Sequence, residues 1–278
     1  MISIFKLSAN IQAFIELFSV FRTHSRLIYE LTKREIFDRY TGQVFGAVWS
    51  LIHPLLLTFI YIFVFGFVFK ARVGDSLSMP LDYTSYMLSG FIPWIVFSEV
   101  IGKSSTVITT NANIVKQVVF PIEVLPIKNV LASFITQGVF LIIFLIYVLA
   151  TNHTLAWTYL LIPILFLLQT ITLIGLSYLF SAIGVYFRDI KDFVQIFLSV
   201  AFFILPILYL PESIPSAVRP ILYFNPISYM IWCYQDTLYF GSFMHPWAWF
   251  VFGFGSVFIF VLGYRVFRKL KVMFGNVL

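Results

Sequence analysis

The residues best placed to do chemistry in this 278-residue chain are cations beside its first long apolar run. Lys33, Arg34 and Arg39 precede Tyr40–Phe69, a stretch that holds no Asp, Glu, Lys or Arg. The planar fork of an arginine can hold a phosphate through two parallel hydrogen bonds, and a lysine adds a point charge. Three other uses compete for these cations: attraction to anionic lipid, marking the inner side of a membrane, and pairing with Glu35 or Asp38. Gly102-Lys103-Ser104 has the letters that end a phosphate-binding loop, yet Phe97 stands where that loop needs its first glycine. The four histidines have no HExxH spacing, no serine sits in a GxSxG elbow, and Cys233 is the single cysteine. No nucleotide, metal or cofactor site and no intrachain disulfide is therefore expected.

Acids in apolar surroundings are few, chiefly Glu99, Glu123 and Asp236. A proton-driven carrier would embed at least one committed acid or histidine. Glu99 stands four residues before Lys103, so an ion pair at a helix end with a snorkelling lysine is the plainer use. For Asp236 the plainer use is a place in a loop.

These groups need elements to position them, and composition decides which kind. Of the residues 60% are hydrophobic and 11% charged, against about 25% charged in an ordinary soluble domain. The runs Tyr40–Phe69, Asn129–Phe187 and Thr237–Tyr264 carry no charge, and about 20 such residues cross a bilayer. The expected fold is an all-α integral membrane protein with six transmembrane helices, near 44–69, 83–101, 129–149, 157–185, 193–209 and 247–267. Residues 1–43 form a cytoplasmic segment with an amphipathic interfacial helix at Leu27–Arg39, and 44–278 form the transmembrane domain. Gly90 and Pro93 predict a break or kink in the second span, and Pro121 and Pro126 bracket a short helical turn. Leu210–Pro246 is too interrupted for one span and too apolar for a solvated loop. Re-entrant helices between spans five and six fit it, since such backbone is allowed when buried in protein.

Six spans place both termini on one side. Fifteen of the eighteen Lys and Arg fall there, and only Lys70, Arg72 and Arg219 fall opposite, so the termini are expected to be cytoplasmic. The net charge of +6 thus marks connectors, and no nucleic-acid partner is expected. No removable leader is expected either. The absence of an internal repeat argues against the inverted-repeat carriers. With 34 Phe, 15 Tyr and 6 Trp, most aromatics must serve interfacial belts and lipid-facing bulk. A sharper use is a pore wall offering flat faces to sugar rings. Its candidates are Trp49, Tyr61, Trp94, Phe97, Phe202 and Tyr209, near Pro54, Pro93 and Pro206.

Arg34-Glu35-Ile36, Arg39-Tyr40, Gly46, Trp49 and Pro54 resemble the opening signature of the polysaccharide-exporting permeases of the type-2 ABC transporter group. Gly90, Pro93-Trp94, Asn111, Asn113, Lys116, Phe120-Pro121 and Leu125-Pro126 are similar to that family's second span and cytoplasmic loop. Tyr186 to Ile190, Pro206 to Tyr209, Pro215 and Asn225-Pro226 extend the likeness. It departs at Gln235-Asp236, where relatives often carry an arginine after a tyrosine.

The resemblance implies a homodimer in the bacterial inner (cytoplasmic) membrane, each copy bound to a cytoplasmic ABC ATPase that carries the ATP and Mg. It implies export of a lipid-linked glycan: O-antigen of lipopolysaccharide, capsule or teichoic acid. Lys33, Arg34 and Arg39 would then meet the substrate diphosphate at the mouth of the first span. Coupling to the ATPase would fall to Glu35, Asn111, Asn113, Lys116, Phe120, Pro121, Glu123, Arg188, Asp189, Lys191 and Asp192. The competing functions are an ABC exporter of drugs or other lipids, an ion-coupled carrier, and a polyprenyl transferase. The transferase would need acids or a histidine clustered at one membrane face, which the sequence does not offer.

Overall fold

Inside a bilayer each segment must satisfy its own backbone hydrogen bonds, and helices do so. The structure, a computed structural model, describes residues 16, 19–39, 41–64, 80–117, 120–211 and 214–278, and the regular elements among them are helical. They are α1 (Ser25–Asp38), α2 (Trp49–Tyr61), α3 (Tyr83–Ser104), α4 (Ala112–Gln117), α5 (Val124–Asn152) and α6 (Ile162–Tyr186). Next come α7 (Ile190–Ile204), α8 (Arg219–Phe224), α9 (Pro226–Gln235), α10 (Pro246–Leu270) and α11 (Phe274–Val277). The far end of the predicted first span (65–69), the loop with Lys70 and Arg72, and residues 1–15 lie outside the described residues.

Among the described residues, four helices are long and apolar enough to cross a membrane: Tyr83–Ser104, Val124–Asn152, Trp157–Tyr186 and Pro246–Met273. The chain is a multi-pass membrane protein. Six spans are more than these four helices provide. The first predicted span appears as a shorter apolar helix, Trp49–Val64, entered through a 3-10 turn at Gly46–Val48. Gly42 and Gly46, at φ 83° and 49°, make the bend between α1 and α2 in backbone that side chains disfavour.

Three expectations need correction. The second span is one continuous helix through Gly90 and Pro93, so of the expected break or kink the break does not occur. Glycine at 90 lets α9 press close, for a Cβ there would lie 3.1 Å from Ile231 and 3.2 Å from Gln235. The third span begins at Val124, so Pro126 sits in its first turn, where its missing N–H is no loss. The fifth span stops at Ile204 and not at 209. Leu205 is extended (ψ 150°) because it precedes Pro206, and a residue before proline is pushed out of the helical region.

α6 and α10 cross in backbone contact. A Cβ on Gly175 would lie 2.5 Å from the Phe260 Cα, and one on Gly263 would overlap the Gly175 carbonyl. Small residues that let backbones touch are the usual glue where lipid removes the hydrophobic drive between helices.

Side-chain bonds sort the helix ends into two groups. At one end, Lys128 at the start of α5 pairs with Glu35 of α1 (3.0 Å), and Arg39 pairs with Glu99 near the end of α3 (2.6 Å). Glu123 pairs there with Lys271 after α10, and the Tyr186 hydroxyl donates to the Leu270 carbonyl (2.9 Å). At the other end, the Tyr147 hydroxyl donates to Asp82 (2.8 Å), Thr158 to the Thr237 carbonyl (2.7 Å) and Tyr239 to the Leu81 carbonyl (3.1 Å). The chain after α7 belongs to this second end, where the Tyr86 hydroxyl donates to the carbonyls of Pro206 and Tyr209. It then descends, because Pro226 lines one apolar cavity of about 210 Å³ with Phe97, Phe180 and Ile259, all set inside the ends of their helices. From there α9 climbs back to the Asp236–Phe240 turn, a stretch of π-helix.

Candidate functional site

Among the described residues, an open cleft of about 1040 Å³ lies between the α1–α2 junction and helices α3, α5 and α7. Arg39, Gln43, Trp49, His53 and Pro54 line it from the first part of the chain. Trp94, Ser98, Glu99 and Lys103 line it from α3, Thr136 from α5, and Gln195, Leu198 and Ser199 from α7. Charged and polar groups thus share the lining with two tryptophans.

Spacing along α1 explains how the polar part of the lining is built. Glu35 and Arg39 are four residues apart and share a face, which is turned toward the bundle. Lys33, Arg34 and Asp38 take the opposite, exposed face, where Arg34 pairs with Asp38 at 3.3 Å. Of the three predicted phosphate-binding cations, only Arg39 therefore reaches the cleft. Its Nη1 contacts Glu99 Oε1, and its Nη2 donates to the Ser133 hydroxyl at 3.2 Å. Lys103 Nζ meets the same Glu99 oxygen at 2.9 Å, so the expected helix-end pair exists and a second cation has joined it. Two cations share one carboxylate.

The six aromatic candidates divide. Trp49 and Trp94 line the cleft. Trp94 is 4% exposed, with Phe97 stacked 5.6 Å from it and Phe202 tilted against it at 6.4 Å. Tyr61 and Phe202 pack on Phe91 at 4.5 and 6.2 Å, continuing the aromatic column along α3. Tyr209 lies at the other end of the bundle, its hydroxyl donating to the Ile204 carbonyl.

The predicted coupling residues divide as well. Arg188, Asp189, Lys191 and Asp192 are exposed, as are Asn113 and Lys116. Arg188 and Lys191 line a second hollow of about 370 Å³ with Ser105, Thr106, Thr109 and Ala112. The loop before α4 and the start of α7, 80 residues apart in sequence, thus form one surface. Asn111 donates to the Val107 carbonyl (2.7 Å) and closes the turn into α4, with Phe120 and Pro121 half-buried beyond it. Glu35 and Glu123 turn inward, to Lys128 and Lys271.

Sequence reasoning missed a polar knot at the centre of the bundle. Gln137 donates to Gln169 and to the Tyr234 hydroxyl, both at 2.9 Å, and Tyr234 donates to Gln169. Gln169 in turn donates to the Pro93 carbonyl at 3.1 Å. The signal was two glutamines standing alone in the uncharged run Asn129–Phe187, where an amide needs a partner. Asp236, buried nearby on the chain, accepts from the His245 backbone N–H and Trp249 Nε1, both at 3.1 Å, and contacts His245 Nδ1 at 2.8 Å.

The described residues thus form a helical, apolar bundle with a polar-lined cleft and a separate surface of exposed charge. The chain belongs to the ABC-2 type transporter family, which matches residues 26–239. It is 30% identical over 255 residues to an O-antigen export system permease protein RfbA of Klebsiella pneumoniae, covering 91% of this chain and 95% of the relative. To the RfbA protein of Myxococcus xanthus it is 29% identical over 215 residues, 77% of this chain and 80% of the other. The polysialic acid transport protein KpsM of Escherichia coli is 24% identical over 214 residues, with 77% and 81% covered.

Proposed function

We propose that this chain is the permease subunit of an ATP-driven exporter that moves a lipid-linked polysaccharide across the bacterial inner membrane. O-antigen, capsule and teichoic acid are the substrate classes. The observation that carries the reading is the cleft, with cations at the cationic end of the bundle and tryptophans along its wall, in an ABC-2 chain whose relatives are named for O-antigen export and polysialic acid transport. The diphosphate linking lipid to sugar meets Arg39 at the cleft mouth, with Lys33 and Arg34 drawing anionic headgroups toward it from the exposed face of α1. ATP and Mg bind a cytoplasmic ABC ATPase, which docks on the surface shared by Asn113, Lys116, Arg188, Asp189, Lys191 and Asp192. Two copies of the chain enclose the path. Deleting the chain from its own bacterium is expected to strip polysaccharide from the cell surface while the lipid-linked form collects inside; an unchanged surface contradicts the reading.

In this reading α2 with the residues beyond it and α7 complete six spans, both termini are cytoplasmic, and α8 and α9 are re-entrant. The descent of the chain to Pro226 supports the last point. In a Cys233→Ser background, cysteine at His153 or Ser216 is expected to react with an impermeant reagent from outside. Cysteine at Lys191 or Lys271 is expected to react only once the inner face is opened. Outside labelling at Lys191 contradicts this topology.

A further inference from the structure

We infer that Glu99 is a built-in occupant of an anion site formed by Arg39 and Lys103, and that the substrate's diphosphate binds by displacing it. The assignment rests on the glycan-export reading and adds to it a second binding cation, Lys103, and an internal competitor. Both cations converge on one atom, Glu99 Oε1, at 2.6 and 2.9 Å. A carboxylate oxygen in that position stands where a phosphate oxygen would, and the pair leaves one positive charge in surplus. Arg39 is 14% exposed, and its Nε is buried with no hydrogen-bond partner among the described residues. Its two terminal nitrogens are thus held, Nη1 by Glu99 and Nη2 by Ser133, while Nε stays unpaired among the described residues. A diphosphate brings two phosphate groups, enough to take the Glu99 position and that donor together. Lys103, 42% exposed, can swing with the incoming group, whereas Arg39 is fixed by Ser133.

The cleft has room for this exchange. Its volume of about 1040 Å³ exceeds what a diphosphate fills, and Trp49 and Trp94 flank the remaining space for the first sugars. Because Glu99 also ties α3 to the interfacial helix, its release frees Arg39 from α3. Substrate arrival then loosens the α1–α3 contact made by Arg39 and Glu99.

The experiment measures binding to the permease–ATPase complex in nanodiscs, with farnesyl diphosphate and inorganic pyrophosphate as probes and farnesol as the tail-only control. Glu99→Gln removes the competing charge and keeps a hydrogen-bond acceptor, so it is expected to tighten farnesyl diphosphate about tenfold. Arg39→Gln and Lys103→Gln are each expected to weaken it about tenfold. Thermal unfolding of each variant is read alongside, and Lys103→Gln, altering a side chain that is partly exposed, tests the site without disturbing the bundle. Pyrophosphate competing with farnesyl diphosphate supports a headgroup site. Farnesol binding as well as farnesyl diphosphate, or equal affinity in all three variants, overturns the proposal. Pyrophosphate binding without farnesyl diphosphate binding keeps the anion site but overturns displacement by a lipid headgroup. Failure of export with the expected binding changes intact would count against the glycan-export reading alone.

Discussion

Replacing Arg188 and Lys191 together by glutamate is expected to abolish ATP-driven transport while the bundle stays folded. Both side chains are exposed at the start of α7 and line the hollow of about 370 Å³ beside Thr106 and Thr109. Their reversal therefore disturbs a surface and leaves the core alone. The same helix carries Gln195, Leu198 and Ser199 into the cleft, then ends at Leu205-Pro206. The Pro206 carbonyl is held there by Gln235 at 2.7 Å and by Tyr86 at 3.2 Å. α7 thus runs as one helix from this exposed surface past the cleft wall to the far end of the bundle. Reversing two charges in a docking surface costs several kcal/mol, so transport should fall about a hundredfold or more. Pull-down of the ATPase should fail in parallel, while thermal unfolding in detergent stays unchanged. Normal transport in this variant would move the coupling surface elsewhere.

Asp236→Ala is expected to remove folded protein from the membrane. The side chain is 1% exposed, and its carboxylate gathers the His245 backbone, the His245 ring and the Trp249 indole where the π-helical turn meets α10. The His245 ring also stacks on Trp232 at 5.3 Å and 7°. Truncating a buried acceptor of this kind leaves its donors stranded, at about 3–5 kcal/mol. Asp236→Asn keeps one acceptor oxygen and should recover a large part of the yield. The pair of variants also separates two functions for the acid. A proton relay predicts that Asp236→Asn is abundant and inactive, whereas a structural clasp predicts that transport follows abundance.

The cations and the large elements were legible in the sequence for simple reasons. Charge is expensive in lipid, so the uncharged runs mark α5, α6 and α10, and the Glu99–Lys103 pair lies within one helical turn. Arg39–Glu99 and Glu35–Lys128 join residues 60 and 93 apart in sequence, and no local period records them. The inward face of α1 was readable only as an alternative, since Arg34 and Arg39 look equivalent until the helix is placed on α5. The spans are apolar on nearly all sides, so periodicity could not say which of Trp94, Phe97 and Phe202 faces the cleft. Pro93 predicted a break or kink because its missing N–H is a local fact. What surrounds it is not local: Gln169, 76 residues away, bonds the Pro93 carbonyl within the continuous helix.

The central claim is that ATP hydrolysed by a partner moves a lipid-linked polysaccharide through this chain. Its most direct test is transport in proteoliposomes holding the chain and its ATPase, with a short labelled oligosaccharide on a polyprenyl diphosphate added outside. Arrival in the lumen is read as protection of the sugar from an added glycosidase. Complexes oriented with the ATPase outward should move sugar only with ATP, stop with vanadate, and ignore the collapse of ion gradients. Movement without ATP, or movement driven by an imposed ion gradient, would contradict the account.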